Sequence, residues 1–114
     1  MNARDEAAVT TLNLLLVDGS ERMRGALADT LKRRGYHVTP CCSAQDALRH
    51  ARTNPPDLVL TELQLPDDSG LDLVSKVKHV APSASVVVLT SYASIATAVD
   101  AMKRGAADYL IKPS

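Results

Sequence analysis

Apolar residues along this chain fall into two alternating patterns: short continuous runs, and stretches in which they return every three or four positions. The runs at 12–17, 36–39, 58–61, 85–89 and 108–111 have strand length, are rich in Leu, Val and Ile, and predict five β-strands. Between them stand Met23, Ala26, Leu27, Thr30 and Leu31; Ala44, Ala47, Leu48 and Ala51; Leu71, Val74 and Val77; and Ile95, Ala98, Val99 and Met102. That spacing puts each set on one helical face, predicting four helices with these residues turned toward a core.

Boundary residues agree with this division. Ser43 with Asp46, and Ser69 with Asp72, place a side-chain acceptor and a carboxylate three residues apart at helix entrances. Gly35 and Gly105 stand where the first and fourth helices would end, and Pro55-Pro56 and Pro82 stop the second and third. Near-continuous apolar strands alternating with helices imply an α/β fold: a doubly wound parallel sheet with helices on both faces, joined by right-handed crossovers. In such sheets ligands bind beyond the carboxyl ends of the strands, where the strand order reverses.

At 114 residues the chain has material for one layered core and not two. Residues 1–11 are polar or small without a sustained period and read as a flexible leader, leaving 12–114 as the domain. Phe and Trp are absent, so surfaces for stacking bases are scarce, and thirteen basic residues balance thirteen acidic ones. Without net positive charge, direct nucleic-acid contact by this segment is not expected. The apolar runs at 14–17 and 86–89 are far too short to span a bilayer, so the chain reads as cytoplasmic. Cys41 and Cys42 are adjacent and would point to opposite sides of an extended segment, and no other Cys or His stands at ligand spacing, so they read as structural thiols. His37, His50 and His79 share no spacing and read as surface residues.

Four polar residues follow strand ends: Asp18, Glu62, Thr90 and Lys112. Each has an ordinary explanation, Asp18 as a helix cap, Thr90 as a strand terminus and Lys112 as a solvated charge. Together, two carboxylates, a hydroxyl and an ammonium on one sheet edge form a set suited to a hard cation and an anionic phosphoryl group.

The segments Leu14-Leu15-Leu16-Val17-Asp18, Leu58-Val59-Leu60-Thr61-Glu62 through Pro66 with Gly70, Val88-Leu89-Thr90-Ser91, and Tyr109-Leu110-Ile111-Lys112-Pro113 resemble, in order and spacing, the receiver domains of bacterial two-component response regulators. The stretches at 70–74 and 94–99 resemble regulators of the RegA/PrrA type. This CheY-like resemblance implies a flavodoxin-like sheet of strand order 2-1-3-4-5, with a fifth helix after Lys-Pro that this chain would lack. In the family a phosphoryl group passes from a kinase His to an Asp with Mg²⁺ between the oxygens; a Thr and a Lys bind it and an aromatic residue swings inward. The resemblance assigns the acceptor position to Glu62, phosphoryl binding and switching to Thr90, Tyr109 and Lys112, and one metal-holding acid to Asp18. It also implies a cis Lys112-Pro113 bond, a sensor histidine kinase and an output domain as partners, and a homodimer through the surface that the family builds from its fourth helix, fifth strand and fifth helix.

Two departures fall on the chemistry. Gly19 stands where the family has its second metal-holding acid, and Glu62 where it has the phosphorylated aspartate. Mg²⁺ requires near-octahedral oxygens at about 2.1 Å, so the expectation is no cofactor or weakly bound Mg²⁺. Glu62 reaches farther than Asp by about one C–C bond, ~1.5 Å, toward the place of a phosphoryl group and toward Lys112. Three accounts remain open: a natural receiver that signals without phosphorylation, an engineered mimic of the phosphorylated state, and residual phosphoryl transfer to Glu62, Asp67 or Asp68. The leading reading is an atypical receiver, not an enzyme, that controls a transcriptional output through conformation; a working acceptor in a His-Asp phosphorelay is the alternative. A nucleotide or flavin enzyme would need a glycine-rich turn after the first strand, which Asp18-Gly19-Ser20-Glu21 does not supply.

Overall fold

The computed structural model describes residues 11–112; residues 1–10 of the expected leader and the Lys112-Pro113 bond lie outside them. The strands are β1 (Asn13–Val17), β2 (His37–Cys41), β3 (Leu58–Thr61), β4 (Ser85–Thr90) and β5 (Asp108–Ile111). The intervening helices are α1 (Glu21–Arg33), α2 (Ala44–Thr53), α3 (Gly70–Val80) and α4 (Ile95–Lys103). All strands are parallel, in the order β2-β1-β3-β4-β5, so the order reverses at β1 and the β1–β3 edge is the switch point. Both the expected doubly wound architecture and its strand order are observed.

β2 begins and ends later than its apolar run suggests and takes in Pro40, opposite Leu16. An edge strand tolerates this, because the missing N–H removes no bond to a second neighbour. Alternation along β1 feeds two cores. Leu14 and Leu16 pack with Ala28 of α1 and Val38. Leu15 and Val17 join Val59, Val86 and Val88 beneath α2, α3 and Ala101 of α4.

Each helix is opened by a serine: Ser20, Ser43, Ser69 and Ser94 accept from the N–H groups of Met23, Asp46, Asp72 and Thr97. Gly35 and Gly105 have φ of 97° and 105°, the left-handed conformation expected after α1 and α4. The core-facing set predicted for α2 is buried throughout. In α1, Ala28 is the buried residue and Ala26 and Thr30 are exposed. The set predicted for α4 is largely wrong in direction: Ile95 is 86% exposed, Val99 and Met102 are exposed too, and Ala101 is the residue buried against the sheet. A short helix on a sheet edge needs only small residues on its inner side, so its larger apolar groups mark the outer one. On β5, Leu110 and Ile111 are also exposed, on opposite faces of this edge strand: Leu110 on the face with no covering helix among the described residues, and Ile111 beside the start of α4.

Candidate functional site

Three loops at the carboxyl edge build one buried ionic cluster. The Asp18 N–H donates to the Cys41 carbonyl at 3.1 Å and the Glu62 N–H to the Val17 carbonyl at 2.9 Å, so each sheet ladder continues one residue past its strand. The Lys112 N–H does the same toward Thr90 at 2.9 Å. These bonds fix three side-chain origins around the switch point. Lys112 Nζ then donates to Asp18 Oδ2 at 2.8 Å and to Glu62 Oε1 at 2.7 Å. All three side chains are less than a tenth exposed.

Remaining oxygens are also engaged. Asp18 Oδ1 accepts the Ser20 N–H at 2.9 Å, and Glu62 Oε2 accepts the N–H of Leu63. From α1, Arg24 Nη1 donates to the Asp18 carbonyl at 2.7 Å. Burial pushes the Lys112 ammonium down, and its hydrogen bonds to Asp18 and Glu62 outweigh that, leaving its pKa above the ordinary lysine value. Above the cluster lies an open depression of about 360 Å³ lined by Asp18, Gly19, Glu62, Gln64, Pro66 and Lys112 among others. Glu62 is held from behind by α3. A Cβ on Gly70 would come within 2.2 Å of the Glu62 carbonyl oxygen, so only glycine lets α3 start this close.

The family model for the response regulator receiver domain matches residues 14–114. The chain belongs to this family. This receiver is 40% identical over 102 residues to the photosynthetic apparatus regulatory protein RegA of Cereibacter sphaeroides, covering 90% of this chain and 55% of RegA. It is 38% identical to the acid tolerance regulatory protein ActR of Rhizobium meliloti, covering 90% and 53%. It therefore spans about half the length of the curated relatives it matches. Among solved structures, a Burkholderia pseudomallei response regulator with a phosphorylated aspartic acid, calcium ion and citrate is 43% identical, with a TM-score of 0.85 over 90% of this chain and 61% of that one. A CheY-like receiver from Methanospirillum hungatei is 27% identical, with a TM-score of 0.87 over 92% and 84%.

A divalent cation fits the receiver's donor set here poorly. Position 19 offers no carboxylate, and a Cβ there would meet the Pro66 ring at 3.0 Å. Both carboxylates already bridge the Lys112 ammonium, and each of their oxygens has a protein donor. A metal would have to displace an ammonium with fewer charges to attract it than the family's usual three acids supply.

Thr90 is fully buried at the end of β4, with its hydroxyl oxygen accepting the Tyr92 N–H at 3.0 Å. Tyr109 is half-buried and turns to α4: its hydroxyl lies 2.6 Å from Thr97 Oγ1 and accepts the Ser94 N–H at 3.3 Å. The structure thus gathers Asp18, Glu62 and Lys112, and places the Thr90 and Tyr109 hydroxyls on the neighbouring β4–α4 segment. Asp67 and Asp68 are occupied elsewhere. Asp67 accepts the Ala44 and Gln45 N–H groups at the start of α2, both at 2.9 Å, and Asp68 pairs with Lys76 at 2.7 Å. The sequence offers these two only as spare acceptors, since contacts across two loops leave no local signature.

The cysteine reading needs one correction. Cys41 is buried and Cys42 exposed, both free, as expected of opposite-facing neighbours. Yet the Cys41 sulfur meets Asp46 and His50 of α2, a group of potential ligands that the sequence reading did not find. Asp46 and His50 stand four apart and so share a helix face, the one part of this cluster visible in sequence.

Proposed function

We propose that this receiver signals without phosphorylation, its Glu62–Lys112–Asp18 cluster standing in for the charge arrangement that a phosphoryl group would set up, and its output passing through protein contacts. The observation that supports this most directly is the Lys112 ammonium bridging Glu62 Oε1 and Asp18 Oδ2 within a buried cluster. The longer Glu62 side chain brings its own negative charge to the lysine. Loss of the acid at position 19 disables the metal side of the same reaction, so both departures act in one direction.

On this reading Thr90 and Tyr109 are switch residues held in one arrangement, Thr90 through Tyr92 and Tyr109 through the start of α4. Regulation then lies in protein abundance or partner binding. The similarity to RegA and ActR supports a transcriptional output and a cytoplasmic place of action, with a sensor histidine kinase demoted to an optional contact. Mg²⁺ binding is weak, and the module is a signalling part and not a catalyst.

The test is NMR titration with Mg²⁺ and beryllofluoride, and incubation with acetyl phosphate, of this chain beside Glu62→Asp and Gly19→Asp/Glu62→Asp variants. The single variant is included because an added Cβ at position 19 makes Pro66 move by a few tenths of an ångström. Response by the double variant alone is the expected result. Beryllofluoride response or phosphoryl uptake by the unaltered chain overturns the proposal in favour of a working phosphoryl acceptor.

A further inference from the structure

A second cluster of ligand-type side chains lies on the flank of the sheet, where β2 meets α2. The Cys41 sulfur, an Asp46 carboxylate oxygen and a His50 ring nitrogen all lie within 4.8 Å of one another. Tetrahedral coordination with Zn–S near 2.3 Å and Zn–N or Zn–O near 2.0–2.2 Å places ligand atoms roughly 3.3–3.8 Å apart. The His50 Nε2 to Asp46 Oδ1 separation, 3.7 Å, is just above the roughly 3.3–3.6 Å that a nitrogen–oxygen pair would have. Closing the remaining gap needs only side-chain movement, because Asp46 and His50 share one helix face and His50 is partly exposed.

We infer that Cys41, Asp46 and His50 form a binding site for a zinc-type divalent cation, with water completing the coordination. One sulfur, one nitrogen and one carboxylate oxygen form a donor set for borderline-soft first-row metals and not for Mg²⁺, which takes oxygen alone. Arg49 Nη2, which pairs with Asp46, also lies 3.4 Å from His50 Nε2, so this exposed arginine must swing away from both ligands when the cation binds. Asp46 pairs with Arg49, whose side chain is 66% exposed, and such surface pairs contribute little. The Cys41 thiol donates only to the Thr39 carbonyl, at 3.7 Å. Burial, with Asp46 nearby, pushes the Cys41 thiol up to about 12, so the bound cation must take the place of its proton.

The site adjoins the acidic cluster without sharing a ligand with it. Cys41 accepts the Asp18 N–H through its carbonyl, and α2 is tied at its first turn to Asp67 of the β3–α3 loop. A cation here would pin β2 to α2 beside both loops that carry the acids. The inference does not rest on the phosphorylation-independent reading.

The test is calorimetric titration of the whole chain with Zn²⁺, and absorption titration with Co²⁺, whose thiolate bond gives a charge-transfer band. The unaltered protein is expected to bind one ion with that band, and Mg²⁺ in excess is expected not to compete. His50→Gln, a change at a partly exposed position, removes a direct ligand and should weaken binding by more than the roughly 10- to 100-fold that loss of an outer-shell partner costs. Cys41→Ser should abolish the band, while Cys42→Ala should leave affinity and band unchanged. Absence of the band in the unaltered protein, binding undiminished in His50→Gln, or loss of the band in Cys42→Ala each overturns the site.

Discussion

Lys112 holds the carboxyl edge together because two buried carboxylates share its single ammonium. Lys112→Met leaves both without their counter-charge and should lower stability by about 3–5 kcal/mol, read from urea unfolding midpoints. Adding Glu62→Gln should recover part of that loss, since one uncompensated charge is then gone. The pH dependence has a definite sign. A lysine pKa raised by folding contributes stability that is fully present below the unfolded value and is lost as pH rises through the folded one. The stability difference between the unaltered chain and Lys112→Met should therefore be full near neutral pH and narrow as pH rises past the ordinary lysine pKa and through the raised one. Gly70→Ala tests a steric requirement instead. The new Cβ would lie 2.2 Å from the Glu62 carbonyl oxygen, so α3 must back away, with an expected loss of about 1–3 kcal/mol and a shifted Glu62 amide resonance.

Among the elements, α2 depends most on residues outside itself. Ser43 caps it locally, and Asp67 reaches from the β3–α3 loop to two further N–H groups. The bond from Gln45, helped by that from Ala44, holds the Asp67 carboxyl below the usual aspartate value. Its contribution is present above the ordinary aspartate pKa and fades as pH falls through the lower folded value. Asp67→Ala should cost about 0.5–1 kcal/mol, the low end for a cap because this side chain is exposed, with hydrogen exchange rising first at Ala44 and Gln45. The helix periods read from sequence divide along the same line. α2 has a single apolar face, Ala44, Ala47, Leu48 and Ala51, whereas α4 has apolar residues on both sides, and spacing alone chose the larger set, which faces outward.

At the scale of the whole molecule, that outer face is an exposed apolar patch. Ile95, Val99 and Met102 of α4 are exposed close to Ile111 of β5, and a beryllofluoride-activated NtrC4 receiver domain of the same fold is a dimer. Ile95→Asp with Met102→Asp should reduce concentration-dependent self-association in analytical ultracentrifugation without lowering the melting temperature, since neither side chain is in the core. The sequence by itself determined the five-stranded α/β architecture, the helix stops and the acids at strand ends, because these follow from local period, turn chemistry and the parallel-sheet rule. Tertiary structure alone decided that Lys112 holds Asp18 as well as Glu62, that Asp67 caps α2, that α4 turns its large residues outward, and that Cys41 meets Asp46 and His50. The first two are side-chain contacts between elements distant along the chain, the third is a choice between two helix faces, and the last is a contact between the consecutive elements β2 and α2. Such outcomes depend on how layers pack, and no local pattern of residues encodes them.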